Sequence, residues 1–160
     1  MAKSTPATLA LQKAGVAFTL HEYDYDPNAA RIGMQAAQAL GVDPARLLKT
    51  LMARTGSMVG SAVVCVLVPS DAEVSLKKLA SAAGAKEAAM LPAAEAERIT
   101  GYHVGGISPF GQKKRVRVFV EQSTLTHATI IVNGGRRGLQ IELVPADIVR
   151  VLDATPVALC

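Results

Sequence analysis

Two short apolar segments separated by Asn-Gly-Gly-Arg-Arg-Gly most constrain what this chain can fold into. The segments, residues 128–132 and 139–143, are rich in isoleucine, valine and leucine, and three glycines lie in residues 133–138 between them. An Asn-Gly step between two apolar runs is typical of a β-hairpin, because its residues readily adopt the backbone angles of the turn. The pattern therefore predicts an antiparallel pair of strands in the C-terminal third of the chain.

Helices and strands are predicted in irregular order along the rest of the chain. Apolar or alternating runs indicate strands at residues 16–23, 62–68, 86–90 and 116–120, whereas residues 47–54 fit either a strand or a helix. Helical spacing, with Ser, Asp or Pro at the start and often Gly at the end, predicts helices that begin near residues 5, 32, 43, 75, 92 and 145. Because strands and helices do not alternate regularly, we expect an α+β fold with a mixed or antiparallel sheet rather than a doubly wound parallel one.

Composition narrows the class of protein. Half of the 160 residues are apolar and 19% are charged, so we expect a single packed domain over residues 1–160 and not a disordered chain. Seventeen basic and 13 acidic residues give a formal charge of +4, which fits a nucleic-acid partner without requiring one. The two cysteines and three histidines show no metal-binding spacing, so no metal is expected. The longest apolar run, Ala62 to Val68, is too short to cross a bilayer, and the N-terminus does not resemble a signal peptide; we expect a cytoplasmic protein without membrane contact.

A second glycine-rich stretch, residues 101–119, places flexible backbone next to basic charge in the order GYHVGGISPFGQKKRVRVF. At Gly105 and Gly106 a ligand can approach the backbone amides without obstruction by Cβ, and successive amides can bind an anion or an oxyanion. Ser108 adds a hydroxyl group, and Pro109 stiffens the chain that follows. The alternative is a tight connection between a helix and a strand, and the glycines alone favour neither interpretation.

Two other stretches are candidate binding residues. Three glycines in residues 133–138 exceed what a simple turn requires and leave room for a ligand, although a hairpin with solvated arginines fits better when that segment is taken alone. Lys49 and Thr50 lie among leucines. A partly buried lysine there can hold a phosphate or carboxylate or stabilise an oxyanion; the alternative is a lysine that faces outward from a partly exposed strand. Of the histidines only His103 adjoins a candidate loop. The sequence contains no G-x-S-x-G motif, and no nucleophilic residue has an obvious base as its partner.

Three strings in the sequence resemble one known family. TGYHVGGISPFGQKKR (100–115), IIVNGGRRGLQIEL (130–143) and LLKTLMA (47–53) are similar to the YbaK/EbsC family of bacterial aminoacyl-tRNA deacylases, which are related to the editing domain of prolyl-tRNA synthetases. The similarity covers essentially the whole chain and is greatest for the free-standing YbaK type. It implies a mixed, barrel-like sheet of six or seven strands surrounded by helices.

The resemblance also implies a reaction and its partners. Such proteins hydrolyse the ester between a wrong amino acid and the tRNA 3′ end, and the substrate expected here is Cys-tRNA(Pro). This error arises because cysteine and proline are similar in size, so the pocket of prolyl-tRNA synthetase rejects cysteine poorly. No metal or organic cofactor is used, and the cysteine thiol of the substrate is the expected nucleophile, which leaves as a cyclic thiolactone. The expected partners are the aminoacylated 3′ end of tRNA(Pro) and prolyl-tRNA synthetase.

Carried over by position, the resemblance assigns the site residues. Lys49 corresponds to the family's essential lysine, and Gly105, Gly106 and Ser108 complete the expected catalytic set. The expected substrate-binding residues are Tyr23, Thr50, Ile107, Pro109, Asn133, Gly134, Gly135 and Arg136.

Two positions depart from the family's pattern and bear on the choice of amino acid. Asn133 stands where the YbaK type often has a small hydroxyl residue, and Gln140 stands where an acidic residue is common. These departures leave open deacylation of another mischarged tRNA such as Ala-tRNA(Pro), which would need water or a ribose hydroxyl as nucleophile. A non-catalytic module that binds tRNA ends or a synthetase is the third alternative.

Overall fold

The computed structural model describes residues 4–29, 32–56 and 61–160, and it has the predicted α+β architecture. The helices are α1 (Pro6–Lys13), α2 (Ile32–Leu40), α3 (Leu76–Ala82), α4 (Ala93–Thr100) and α5 (Pro145–Leu152), with 3₁₀ turns at Pro44–Arg46 and Gln122–Thr126. The strands are β1 (Thr19–Glu22), β2 (Leu48–Thr55), β3 (Ala62–Pro69), β4 (Ala88–Met90), β5 (Arg117–Glu121), β6 (Ile130–Asn133), β7 (Leu139–Leu143) and β8 (Thr155–Val157).

Local sequence accounts for most of these elements. Thr5 caps α1 by accepting a hydrogen bond from the Thr8 amide, and Ser75 caps α3 in the same way. The ambiguous segment 47–54 is a strand, β2, and the predicted hairpin is the antiparallel β6–β7 pair. The 3₁₀ turn at Gln122–Thr126 and strand β8 were not predicted, because neither carries a periodic apolar pattern long enough to be recognised.

The strands form two sheets that do not close into a barrel. The α+β class is therefore confirmed, whereas the expected barrel-like closure is wrong. One sheet has the order β1-β7-β6 and the other the order β4-β2-β3-β5-β8, with eight strands in the described part of the chain instead of six or seven. In the described part of the chain, one parallel bridge, between Leu47 and Ile131, is the only backbone pairing between the two sheets. Beyond this bridge, β2 and β6 do not pair. A barrel requires a continuous ladder between neighbouring strands, and this ladder ends after a single residue pair.

The main hydrophobic core lies between the two sheets and includes Leu48, Met52, Val120, Ile141 and Ile148, each at most 3% exposed. A second cluster, on the other face of the five-stranded sheet, packs under α3. Since burying one such side chain contributes about 1.5–3 kcal/mol, these clusters fix the positions of both sheets. None of the helices in the described ranges has the length and apolar character needed to cross a membrane.

Candidate functional site

A cavity of about 260 Å³ occupies the fork where β2 and β6 separate beyond the Leu47–Ile131 bridge. We call it the fork cavity. Its lining comes from both sheets, from α2 and from the glycine loop: Tyr23, Ala36, Leu47, Leu48, Lys49, Thr50, Leu51, Val104, Gly105, Ile107, Asn133 and Gln140. Of the predicted site residues, the structure therefore brings together Tyr23, Lys49, Thr50, Gly105, Ile107 and Asn133.

Backbone groups that take no part in the ladders of the two sheets point toward this cavity from both arms of the fork. The Leu47 carbonyl, just before β2, accepts a hydrogen bond from the Ser70 amide on the β3 side. The Met52 carbonyl in β2 accepts one from the Leu91 amide on the opposite side. Because hydrogen bonding alternates along an antiparallel strand, the N–H and C=O of Thr50 point away from β3 and toward β6. The same alternation in β6, set by the bond from the Gly134 amide to the Leu139 carbonyl, directs the backbone groups of Asn133 toward β2.

Two side-chain oxygens in the lining are buried without a hydrogen-bond partner among the described residues. They are Thr50 Oγ1 and Gln140 Oε1, and the two residues line the cavity from different sheets. A buried polar atom without a partner costs about 1–3 kcal/mol, so such atoms are rare and are typical of binding sites. The wall of the cavity thus contains a hydroxyl group and an amide oxygen without partners among the described residues, together with the strand-edge backbone groups of Thr50 and Asn133.

Tyr23 follows the end of β1 and closes one side of the cavity. Burial raises the pKa of its phenol, the neighbouring Tyr25 phenol adds to the rise, and a hydrogen bond with the Gln140 side chain offsets part of it. The phenol therefore keeps its proton at neutral pH and can donate a hydrogen bond.

Lys49 is among the lining residues and is partly buried, which is one of the two alternatives that the sequence left open. Its side chain is 25% exposed, and its ammonium lies 4.0 Å from Glu73, whose carboxylate is 88% exposed. An ion pair with so exposed a partner is weak, so the lysine remains able to bind an incoming anion or a developing oxyanion.

The two glycine segments pack against each other. A Cβ added to Gly106 would lie 2.8–2.9 Å from backbone atoms of Arg136 and Arg137, and one added to Gly105 would lie 2.7 Å from the Tyr25 hydroxyl. The Gly106 amide is bonded to the His103 carbonyl, whereas no hydrogen bond is found for the Gly105 and Ile107 amides within the described residues. Gly106 therefore allows close contact between two backbones, and of the two glycine pairs only Gly105 lines the cavity.

Asn133 joins the two glycine segments. Its amide nitrogen donates to the Gly105 carbonyl at 3.1 Å, and its amide oxygen accepts from the Gly135 amide at 2.7 Å. Thr5, at the start of α1, also holds the hairpin turn by donating to the Gly134 carbonyl at 2.5 Å. Both ends of the Asn133 amide are thus used in shaping the cavity wall.

The remaining predicted residues lie outside the lining. Ser108 is fully buried, and its hydroxyl oxygen accepts from the Phe110 amide at 3.2 Å. Arg136 contacts Glu22 at 3.2 Å from the other side of the turn. Pro109 faces a separate depression, and Gly134 packs on Leu139. His103 is 88% exposed beside Glu97 and does not line the cavity.

Sequence reasoning gave Gln140 no place in the site and noted it only as a departure from a family pattern. A polar residue that is 3% exposed between Leu139 and Ile141 is unusual in a buried strand, and that position in LQIEL was the available indication. Ala36, Leu47, Leu48, Leu51 and Val104 were also missed, because apolar lining residues are indistinguishable from core residues in a sequence.

No nucleophile with a neighbouring base lines the cavity in the described part of the chain. Its hydroxyl groups belong to Thr50 and Tyr23, and it contains no cysteine, serine, histidine or carboxylate. Cys65 is fully buried in β3, where burial raises the pKa of its thiol to about 12, so it is unreactive at neutral pH.

Comparison with known proteins identifies relatives of this fold. A family model described as an aminoacyl-tRNA editing domain matches residues 26–151. A protein of Enterococcus faecalis named "Putative Cys-tRNA(Pro)/Cys-tRNA(Cys) deacylase EbsC" is 37% identical over 128 residues, which are 79% of this chain and 76% of that protein. YwhH of Bacillus subtilis is 32% identical over 114 residues, 71% of this chain and 70% of its own.

One solved structure has the same fold over nearly the whole chain. It is described as a "putative trans-editing enzyme for prolyl tRNA synthetase" and superimposes with a TM-score of 0.80 at 21% identity, covering 99% of this chain and 98% of that one.

Proposed function

This chain belongs to the aminoacyl-tRNA editing domain family, in its YbaK/EbsC branch, and is an aminoacyl-tRNA deacylase; we propose that its substrate is Cys-tRNA(Pro) and that the cysteine thiol is the nucleophile. The observation that carries the proposal is the chemistry of the fork cavity. Its lining combines polar residues, strand-edge backbone and Lys49, but contains no nucleophile beside a base among the described residues.

A site of this kind favours a reaction in which the substrate supplies the attacking group. The thiol loses its proton, its sulfur bonds to the ester carbon, and the carbonyl oxygen becomes an oxyanion. When the intermediate collapses, the bond from carbon to the ribose oxygen breaks, and that oxygen takes up a proton. The products are a cyclic thiolactone, which water later opens, and tRNA with a free 3′ end. The protein contributes by holding the ester bent and by stabilising negative charge.

Each lining residue has a role in this proposal. Lys49 stabilises the oxyanion or binds the terminal phosphate, and the Gly105 and Ile107 amides add donors on the same side. The Thr50 and Gln140 oxygens accept hydrogen bonds from the α-ammonium group of the amino acid. Tyr23, as a neutral phenol, donates to the ribose or to the ester. Leu48 and Ile107 exclude larger side chains from the cavity.

Ala-tRNA(Pro) is the second candidate substrate, because the same two oxygens can position a water molecule for attack. A partnership with prolyl-tRNA synthetase belongs to the proposal as well, supported by the description of the solved relative.

The test compares three tRNA(Pro) substrates charged with cysteine, S-methylcysteine or alanine. We expect the purified protein to release cysteine rapidly and the other two slowly, because a methylated sulfur and a methyl side chain cannot cyclise. Release of S-methylcysteine as fast as cysteine would contradict the thiol mechanism. Fast release of alanine would transfer the role of nucleophile to water, and no release of any of them would contradict the proposed substrates.

A further inference from the structure

A second concave surface, separate from the fork cavity, collects basic side chains from three elements. It is lined by Arg54, Val63, Glu95, Arg98, Ile99, Lys113 and Lys114, with a volume of about 470 Å³, and we call it the basic groove. Four cations there face one carboxylate, and that carboxylate already contacts Arg54 and Arg98. Lys113 and Lys114 have no ion-pair partner in the described ranges of the chain.

The backbone holds these lysines in a defined place. The Lys113 amide donates to the Thr100 carbonyl at 2.8 Å, and the Lys114 amide donates to the Ile99 carbonyl at 3.2 Å. These bonds attach the basic run to the last turn of α4, while β2 supplies Arg54 from the other side of the groove. These two hydrogen bonds use backbone atoms only, so they do not require any particular side chain at positions 113 and 114. They therefore do not explain why both positions carry exposed lysines.

The groove lies at a useful distance from the fork cavity. Thr50 in the cavity and Arg54 in the groove are four residues apart on β2, about 13 Å at the usual rise of a strand. Successive phosphates of one nucleic-acid strand are about 3.4 Å apart along a helix axis, so this distance corresponds to a few nucleotides. A strand whose 3′ end enters the cavity thus has its preceding phosphates within reach of the groove.

We propose that the basic groove binds backbone phosphates of the tRNA acceptor arm, next to the nucleotide whose ester is cleaved. The inference rests on the proposed function in its choice of tRNA as the polyanion. Phosphate recognition by flexible lysines and arginines is independent of base sequence, so the groove supplies affinity and orientation and leaves selection of the amino acid to the cavity.

The experiment measures binding of an uncharged tRNA(Pro) transcript to wild type and to two double variants. Lys113→Ala/Lys114→Ala removes two groove charges, and Lys77→Ala/Arg150→Ala removes two exposed charges on α3 and α5 as the matched control. We expect the groove variant to bind about tenfold or more weakly, and its plot of log affinity against log salt to be shallower by about 1.4–1.8, since each phosphate contact contributes about 0.7–0.9 to the slope. The control should change less than about twofold, as surface charges away from the contact release few counterions.

A conservative variant separates charge from packing. Lys113→Arg/Lys114→Arg should retain wild-type binding if the charges act on phosphates. Equal weakening in the groove and control variants, or an unchanged salt slope in the groove variant, would overturn the inference. Because uncharged tRNA is not a substrate, the binding result stands even if no deacylation is found; with active protein, the groove variant should raise KM and leave kcat unchanged.

Discussion

The fork cavity and the basic groove share strand β2 but are built in opposite ways. The cavity depends on backbone geometry: two sheets separate, two glycine segments pack together, and two buried side-chain oxygens have no partner among the described residues. The groove depends on exposed charged side chains attached to ordinary helix and strand ends. In our proposals the cavity therefore performs the chemistry, which depends on position, and the groove provides long-range attraction, which depends on charge.

The largest expected effect comes from the one cation in the cavity. Lys49→Ala should lower kcat for Cys-tRNA(Pro) by about 10²–10³, the usual cost of losing one oxyanion donor, with little effect on binding of uncharged tRNA. Single-turnover deacylation together with tRNA binding measures both quantities. If Lys49→Ala instead weakened tRNA binding and left kcat intact, the lysine would resemble the groove lysines and the contrast between the two regions would fail.

A change to the backbone should damage the cavity and spare the groove. Gly106→Ala places a methyl group within 2.9 Å of the Arg136 and Arg137 backbone, which forces the segments apart at a cost of about 1–3 kcal/mol. We expect a lower thermal midpoint and at least tenfold slower deacylation, with tRNA binding retained.

Gly15→Ala is the control for Gly106→Ala, because Gly15 has a positive φ of 72° but its added Cβ meets no neighbour. It should cost only about 1 kcal/mol of stability and leave deacylation unchanged. Equal activity losses in the two variants would show that general destabilisation, and not cavity geometry, causes the effect.

The pH dependence tests which group in the cavity titrates. The pKa of Tyr23 is raised, so its phenol stays protonated at neutral pH, and the substrate groups that ionise between about pH 6 and 8.5 are the thiol and the α-ammonium. Single-turnover rates for Cys-tRNA(Pro) should therefore rise about tenfold per pH unit up to about pH 7.7, above which loss of the α-ammonium proton, with an ordinary pKa of about 7.7–8.0, should flatten the rise. Tyr23→Phe should keep the same profile; loss of the slope in that variant would assign the titration to the protein.

The smallest effect is expected for the Thr50 hydroxyl. Thr50→Val keeps the side-chain shape and the strand-edge backbone groups but removes one hydrogen bond, worth about 0.5–1.5 kcal/mol, so deacylation should slow about twofold to tenfold. Thr50→Ser, which retains the hydroxyl, should remain near wild type. Full activity in Thr50→Val would indicate that the backbone alone holds the amino acid.

Most secondary structure could be predicted from local sequence. The β6–β7 hairpin, the capped helices and the apolar strand β3 each carry their own pattern of turn, cap or alternation, and these patterns act over a few residues. Strand β8 could not be predicted in this way, since its three residues depend on parallel pairing with β5. The family resemblance likewise pointed to Lys49 and both glycine segments, because these residues stand in long, unusual strings.

The sequence by itself determined the fold class and the hairpin, and it located the basic and glycine-rich segments on which the proposed site rests. Only the tertiary structure decided that the sheets separate after one bridge, that Gly106 serves packing while Gly105 lines the cavity, and that the buried oxygen of Gln140 has no partner among the described residues. The physical reason is the range of the interactions. Turns, caps and periodicity are local, whereas a cavity exists only where segments distant in sequence meet and leave polar atoms without partners.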